Sequence, residues 1–189
     1  MKTTDFKQDI AKGKIGEQIF VEDFLNFLDI KYIDVTGSQA FQILDTDFRA
    51  HIGTYEIKTN YRDNKVLIFE DYTNFNEKLG PIKKGWVYKS KANLIVFVSK
   101  DTRTMIFLPF TDKFKQYYVN QIVPSTKQIF NRISIRGNSK WQSTFRRVDF
   151  DLLDGWISAY KIKHSNPEEN TQKAIETCRI ISKQLQLSF

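Results

Sequence analysis

The stretch that most constrains this chain is residues 41–60, which read FQILDTDFRAHIGTYEIKTN. Two apolar runs flank a turn that contains glycine, and the second run carries Glu56 and Lys58. In a strand, residues two apart lie on the same face, so these two side chains point the same way. The intervening Tyr55 and Ile57 point into the opposite layer. The second run therefore predicts a strand with one apolar face and one charged face.

The first apolar run ends in two acids, Asp45 and Asp47. If the two runs form a hairpin of strands that turns at residues 51–52, Asp47 lies opposite Glu56. The same register sets Asp45 opposite Lys58. Carboxylates this close repel one another unless a cation lies between them. A hard divalent ion with oxygen ligands is the obvious cation, so the stretch predicts a metal site.

An Asp followed after a short turn by Glu-x-Lys in the next strand resembles the PD-(D/E)xK nuclease superfamily. Residues 12–99 carry the resemblance, and they look most like archaeal-type Holliday junction resolvases and phage and restriction-type endonucleases. A proline usually precedes the family's aspartate, and Thr46 holds that position here. This leaves both Asp45 and Asp47 as candidate ligands. We favour Asp47, because the apolar Phe48 follows it as the family pattern expects.

A glutamate on the predicted first helix, which runs over about residues 12–28, extends this pattern. Glu17 lies three residues before Phe20, so its carboxylate belongs to the inward-facing apolar stripe and needs a partner. Two interpretations fit the residue alone, an acid at the helix start that pairs with Lys14 and an acid that reaches the metal site. Related nucleases carry such a glutamate in a G-x-x-x-E context, which Gly13 completes here. The resemblance favours the metal site.

A second segment, GWVYKSKANLIVFV at residues 85–98, gives an independent point of resemblance. Its last six residues predict a buried strand. In several phage-type members of the superfamily, a Gly and then a Ser/Thr-Lys-Ala segment precede such a strand. Lys91 is therefore a candidate phosphate or active-site contact, and an ordinary helix-end lysine is the alternative.

The chemistry implied by the resemblance is metal-assisted hydrolysis of phosphodiester bonds. Asp47 and Glu56 would hold one or two Mg²⁺ ions, for which Mn²⁺ can substitute. Glu17 would be a further ligand, and the backbone carbonyl of Ile57 would complete the coordination. A bound metal lowers the pKa of a water and neutralises charge that develops at phosphorus. Lys58 would position that water or help to deprotonate it, and would stabilise the same charge.

The charge balance favours an anionic partner such as nucleic acid, because the formal net charge is +7. Residues 132–136 alternate between polar and apolar, meet a Gly-Asn turn at 137–138 and resume near 144–148, which predicts a β-ribbon with the densest basic patch in the chain. Such a patch suits phosphate neutralisation and base stacking, and the solvated face of an edge ribbon is the alternative. The candidate nucleic-acid contacts are Lys12, Lys14, Arg62, Lys91, Arg136, Lys140, Arg146 and Arg147.

The predicted fold is α/β, with a restriction-endonuclease-like core, a central mixed sheet of four to five strands flanked by helices, and a C-terminal basic β-ribbon and helix. Residues 1–110 would form the core, and residues 111–189 an extension packed on it in one compact domain. Residues 66–70 predict a central strand. For Glu70 at its end we prefer a plain strand-end charge over an acid near the metal. Residues 151–161 predict a helix.

These features predict a metal-dependent endonuclease acting on duplex or branched DNA, with Holliday junction resolution as one candidate. Restriction-type cleavage, end trimming, non-catalytic nucleic-acid binding and a purely structural role are the alternatives. Resolvases and restriction enzymes of the superfamily usually act as dimers, so the resemblance implies a homodimer. A single cysteine and no apolar run long enough to span a membrane favour the cytoplasm of a bacterial, archaeal or phage-infected cell.

Overall fold

A computed structural model describes residues 6–60, 65–76, 79–131, 134–136, 139–161 and 167–186. The α-helices are α1 (Phe6–Phe20), α2 (Gln39–Ile43), α3 (Trp86–Lys89), α4 (Asp112–Tyr117), α5 (Val123–Ser125) and α6 (Pro167–Gln186). Val21–Asn26 and Tyr118–Ile122 are π-helical, and Phe150–Leu153 is a 3₁₀ turn. The strands are β1 (Tyr32–Asp34), β2 (Phe48–Ala50), β3 (Gly53–Asn60), β4 (Val66–Asn76), β5 (Gly80–Lys84), β6 (Leu94–Ser99), β7 (Thr104–Pro109), β8 (Gln128–Phe130), β9 (Ser134–Arg136), β10 (Ser139–Asp149) and β11 (Ser158–Lys161).

The main sheet has six strands in the order β1-β2-β3-β6-β7-β11. Strands β3 and β6 pair in parallel, and every other neighbouring pair in this sheet is antiparallel. The predicted α/β fold with a mixed, helix-flanked sheet is therefore confirmed, with one strand more than expected. Parallel strands need a long crossover between them, and here residues 61–93 supply it.

Two apolar cores lie on opposite faces of the main sheet, and β6 contributes to both because its residues alternate in direction. Leu94 and Val96 point into the first core, where α1 and α6 pack. Ile95 and Phe97 point into the second core, which the second sheet and α4 cover. All six residues of β6 are consequently buried, as the sequence predicted for this strand.

The predicted final helix exists as α6, and its apolar stripe docks on the domain. Ala174 and Ile181 are buried in the first core, and Cys178 packs against them. This stripe therefore packs against the rest of the domain. No helix among the described residues has the length and apolar character needed to cross a membrane.

A second, antiparallel sheet has the order β5-β4-β10-β8, and β9 pairs with β10 as the predicted ribbon. Its presence corrects the expectation that residues 66–70 form a central strand of the main sheet. Strand β4 alternates in burial, since Leu67 and Phe69 are buried while Ile68 is 42% exposed. One face of β4 therefore covers the second core, and the other face meets solvent.

Two other predicted elements are wrong. The first apolar run forms helix α2 and a left-handed turn at Asp45 (φ 48°) instead of a strand. So short an apolar run fits the periodicity of a helix and that of a strand equally well. Residues 151–161 form a 3₁₀ turn and strand β11 instead of a helix. Gly155 interrupts them at φ 76°, and Tyr160 in β11 is buried against the first core.

A buried ion pair joins the two central strands of the second sheet. Arg146 Nε lies 2.8 Å from Asp71 Oδ2, and Tyr118 donates its hydroxyl proton to Asp71 Oδ1 at 2.6 Å. Arg146 also donates to the backbone carbonyls of Val123 and Thr126. The prediction of Arg146 as a nucleic-acid contact is therefore wrong, because its guanidinium is committed inside the protein.

We expect Arg146→Met to destabilise the protein by about 3–5 kcal/mol, because it leaves the carboxylate of Asp71 buried and uncompensated. Urea denaturation at neutral pH measures this change. Arg147→Met is the matched control, since Arg147 is the exposed neighbour and its loss should cost within about 0.5 kcal/mol. Equal effects of the two changes would contradict the interior role of Arg146.

Candidate active site

The predicted hairpin turn at residues 51–52 is confirmed between β2 and β3. Phe48, the first residue of β2, pairs with Tyr55. The preceding residue, Asp47, therefore lies beside Glu56, as the sequence predicted. The Asp47 backbone N–H still donates to the Tyr55 carbonyl at 2.8 Å, which fixes this register. The turn and the pairing thus bring two acids from different strands to one point.

The Asp47 carboxylate caps the exposed edge of β3 at this point. Its Oδ2 accepts the backbone N–H of Ile57 at 2.8 Å, which replaces a ladder bond where β2 ends. Burial raises the pKa of Asp47 to about 6, although the Ile57 bond and the charge of Lys58 act in the opposite direction. Asp47 is therefore held in a place where its negative charge is costly.

Glu56 and Lys58 form an ion pair on the face of β3 that points to the second sheet. Lys58 Nζ contacts Glu56 Oε1 and lies 5.5 Å from the centre of the Trp86 ring. Burial, with a contribution from Asp47, raises the pKa of Glu56 to about 7. Burial disfavours the charged form of Lys58, but attraction to Glu56 outweighs it and raises the Lys58 pKa. Lys58 is consequently an ammonium ion at neutral pH.

Helix α1 brings Glu17 near β3 through a close contact between the helix and the strand. Thr59 donates its hydroxyl proton to the Gly13 carbonyl at 3.2 Å, and a Cβ at Gly16 would overlap Thr59 Oγ1. Only glycine at position 16 permits this approach. Burial and then the charges of neighbouring acids, including Glu56, raise the pKa of Glu17. The G-x-x-x-E segment thus positions a carboxylate within electrostatic reach of β3.

A second lysine and acid pair borders this group, and sequence reasoning missed it. Lys89 Nζ lies 2.9 Å from Asp45 Oδ1, and Ser90 donates its hydroxyl proton to the Asp45 carbonyl at 3.3 Å. The Lys91 backbone N–H donates to the Leu44 carbonyl at 2.9 Å, while the Lys91 side chain is exposed. The Ser-Lys-Ala segment therefore lies against the loop that carries Asp45.

Glu70 lies inside β4, which continues to Asn76, so the preferred interpretation of it as a strand-end charge is wrong. Its carboxylate is within electrostatic reach of Lys58 and Lys89, so we count it with this group. The backbone of Glu70 lies close to the start of α3, because a Cβ at Gly85 would overlap the Glu70 carbonyl. Burial raises the Glu70 pKa, and the charges of Lys58 and Lys89 act against that rise. We call the whole group the acid cluster: Glu17, Asp45, Asp47, Glu56 and Glu70, with Lys58 and Lys89.

The donors of the acid cluster suit a hard divalent ion in kind, since all are carboxylate oxygens. Asp45 Oδ2 is buried and has no hydrogen-bond donor among the described residues, so it is an unsatisfied acceptor. Over the same residues, no three His, Cys, Asp or Glu side chains already converge as a metal-binding group. Glu56 faces Lys58 and Asp47 faces the backbone, so side-chain rotation would have to precede metal binding.

The predicted nucleic-acid contacts fall into three groups. Arg146 is buried, as described above. Three side chains are exposed, and the side chains of the remaining four lie outside the described residues. The exposed residues are Lys14, Lys91 and Arg147, and the remaining four are Lys12, Arg62, Arg136 and Lys140.

No family model, curated protein or solved structure matches this chain. The functional argument therefore depends on the residues of the acid cluster and on their geometry.

We expect Gly16→Ala to destabilise the protein by about 1–3 kcal/mol, because the added methyl group overlaps Thr59 and pushes α1 away from β3. Gly13→Ala is the matched control on the same helix. A Cβ there meets nothing within 4 Å, so this change should be neutral or stabilise by up to about 1 kcal/mol. Chemical denaturation measures both, and a stable Gly16→Ala protein would contradict the close contact.

We expect Asp47→Asn to stabilise the metal-free protein by about 1–3 kcal/mol near pH 8. The folded protein raises the Asp47 pKa from 3.8 to about 6 and so binds this proton more tightly than the unfolded chain does. The wild type therefore loses stability as pH rises through that window, whereas the amide variant does not. Near pH 4 the two proteins should be equally stable.

Thermal unfolding in EDTA at both pH values measures this difference. Asp101→Asn is the control, because Asp101 is an exposed turn residue and its loss should have little effect at either pH. A wild type that is more stable than Asp47→Asn near pH 8 would contradict the prediction, because it would show that ionised Asp47 stabilises the folded protein.

Proposed function

We propose that the protein is a metal-dependent endonuclease that hydrolyses phosphodiester bonds in DNA. The observation that carries the proposal is the meeting of Asp47, Glu56 and Lys58 at one point on β3. The acids Asp47 and Glu56 have raised pKa values, so their charged forms are unfavourable there without a further cation. A structural role would be served better by apolar residues, whereas metal-assisted hydrolysis needs these acids.

The strand arrangement supports the proposal. Strand β3 lies between antiparallel β2 and parallel β6, and α1 precedes them and packs on β3. A mixed sheet flanked by the first helix is what the resemblance to restriction-endonuclease-like cores implies. The assignment to that fold is part of the proposal, and the second sheet is an addition to it.

The metal would be held by carboxylates of the acid cluster after their side chains rotate toward one another. Asp47 and Glu56 are the first candidates, with Glu17 and the Ile57 carbonyl as further ligands that the resemblance implies. Bound Mg²⁺ or Mn²⁺ would supply an activated water and neutralise charge on the phosphate. Asp45 is the alternative to Asp47 that the sequence left open, and its ion pair with Lys89 favours Asp47 as the ligand.

Lys58 would act on the charge that develops during cleavage. Its raised pKa keeps it protonated, so a lysine that leaves Glu56 can donate hydrogen bonds to a non-bridging phosphate oxygen. Trp86 lies beneath its ammonium group and limits the directions in which it can move. Lys89 would keep Asp45 in place while Glu56 turns toward the metal.

The test is cleavage of a labelled panel that contains a four-way junction, a flap, a single strand, a plasmid duplex and RNA. We expect cutting with Mg²⁺ or Mn²⁺ and none with EDTA. Lys58→Met and Glu56→Gln should each lower the rate by at least about a hundredfold, because each removes charge from the reacting centre. The preferred substrate identifies the class of nuclease, and a preference for the junction would favour the homodimer.

Lys31→Met is the matched control, because Lys31 is 89% exposed and its one ion pair within the described part of the chain is with the equally exposed Asp29. Its activity should equal that of the wild type. Saturating Mg²⁺ should also raise the melting temperature of the wild type and leave that of Asp47→Asn nearly unchanged. Tight binding to a substrate with no metal-dependent cutting by the wild type would refute the nuclease and favour the non-catalytic binding protein.

A further inference from the structure

A row of partly exposed aromatic rings from β4, α3 and β8 lies outside the acid cluster. The Tyr72 ring centre lies 5.7 Å from that of Tyr88 and 6.3 Å from that of Phe75. The Phe75 ring in turn lies 5.2 Å from the ring of Phe130, which is 46% exposed at the end of β8. We call these four residues the aromatic row.

Exposed lysines lie beside the aromatic row. Strand β5 pairs Lys84 with Tyr72 and Lys83 with Asn74, and both lysines are exposed. Residues 72–76 and 80–84 contain no acid. A ring surface flanked by positive charge is complementary to a chain of bases and phosphates.

The aromatic row is continuous with the acid cluster through α3. Tyr88 is the inner end of the row, and its neighbour Lys89 pairs with Asp45. Trp86 in the same short helix lies beneath Lys58. A nucleic-acid strand bound along the row would therefore lie next to the helix that borders the proposed reacting centre.

We propose that the aromatic row binds unpaired nucleotides of the substrate, with Lys83 and Lys84 against their phosphates. The inference rests on the proposed nuclease function and names its substrate class, DNA with a single-stranded segment beside the cleaved bond. Aromatic rings stack on bases only where the base faces are free, which a continuous duplex does not offer. The lysines beside the row favour a nucleic-acid strand over an apolar protein surface.

The test is fluorescence anisotropy with labelled oligothymidine and with a duplex of equal length, in EDTA so that no strand is cut. We expect the double change Phe75→Leu and Phe130→Leu to weaken oligothymidine binding about tenfold or more, since each lost stacking contact costs about 1–3 kcal/mol. Duplex binding should change less than twofold. Phe130→Leu alone, at an exposed position, should show a smaller loss in the same direction and keeps the test valid if the double variant unfolds.

Ile175→Ala is the matched control, because Ile175 is an exposed apolar residue of α6 with 43% exposure, close to that of Phe130. It should bind both probes as the wild type does. Unchanged oligothymidine binding by the leucine variants, or an equal loss on both probes, would overturn the inference. A change in oligomeric state without a change in oligothymidine binding would also overturn it, by assigning the row to a second copy of the chain.

Each of the two proposals can be refuted without refuting the other. Leucine variants that bind oligothymidine normally while the wild type cuts DNA with metal would refute the aromatic row and leave the nuclease. A wild type that never cuts, yet loses oligothymidine binding in the leucine variants, would refute the nuclease and support the row as a binding surface.

Discussion

The ion pair of Glu56 and Lys58 is the interaction on which the arrangement around β3 depends. Because β3 is covered on both faces, its alternation forces two charged side chains into the protein when Tyr55 and Ile57 enter the first core. Removing two charges from water costs several kcal/mol each, and their attraction offsets that cost only in part. The desolvation cost that remains is largest near Asp47, which adds a third charge. Buried charges that lower stability in this way are the pattern expected at a functional site.

Much of the fold could be predicted from local pattern alone. Strands β3 and β6, the turn at residues 51–52 and the stripe of α6 all follow from clear periodicity. The helix α2 was missed because an apolar run of about one helical turn satisfies both periods. Strand β11 was missed because its identity comes from pairing with β7 at the sheet edge, which is a tertiary contact. The second sheet was missed for the same reason, because the sequence of β4 alone does not identify the distant β10 as its partner.

Some residues of the acid cluster could be predicted from local sequence pattern, and others depend on tertiary packing. Asp47, Glu56 and Glu17 were predictable because each has a short-range signal, in a strand register or a helical spacing. Lys89 and Glu70 were not, because they reach the cluster through the packing of α3 on β4. Arg146 had a usable signal, since residues two apart share a face and the apolar Val148 marks that face as buried.

The second sheet has a consequence for the order in which the chain folds. Its central pair joins Val66 to Asp149, so β4 can pair with the nearby β5 early but lacks β10 on its other edge until residues 139–149 have been made. Such distant pairings are slow to form, because the intervening loop must close first. Glu70 and the neighbouring α3 depend on β4 for their positions. The nascent chain would therefore pair β2 with β3 early and complete the acid cluster only after β10 has been made.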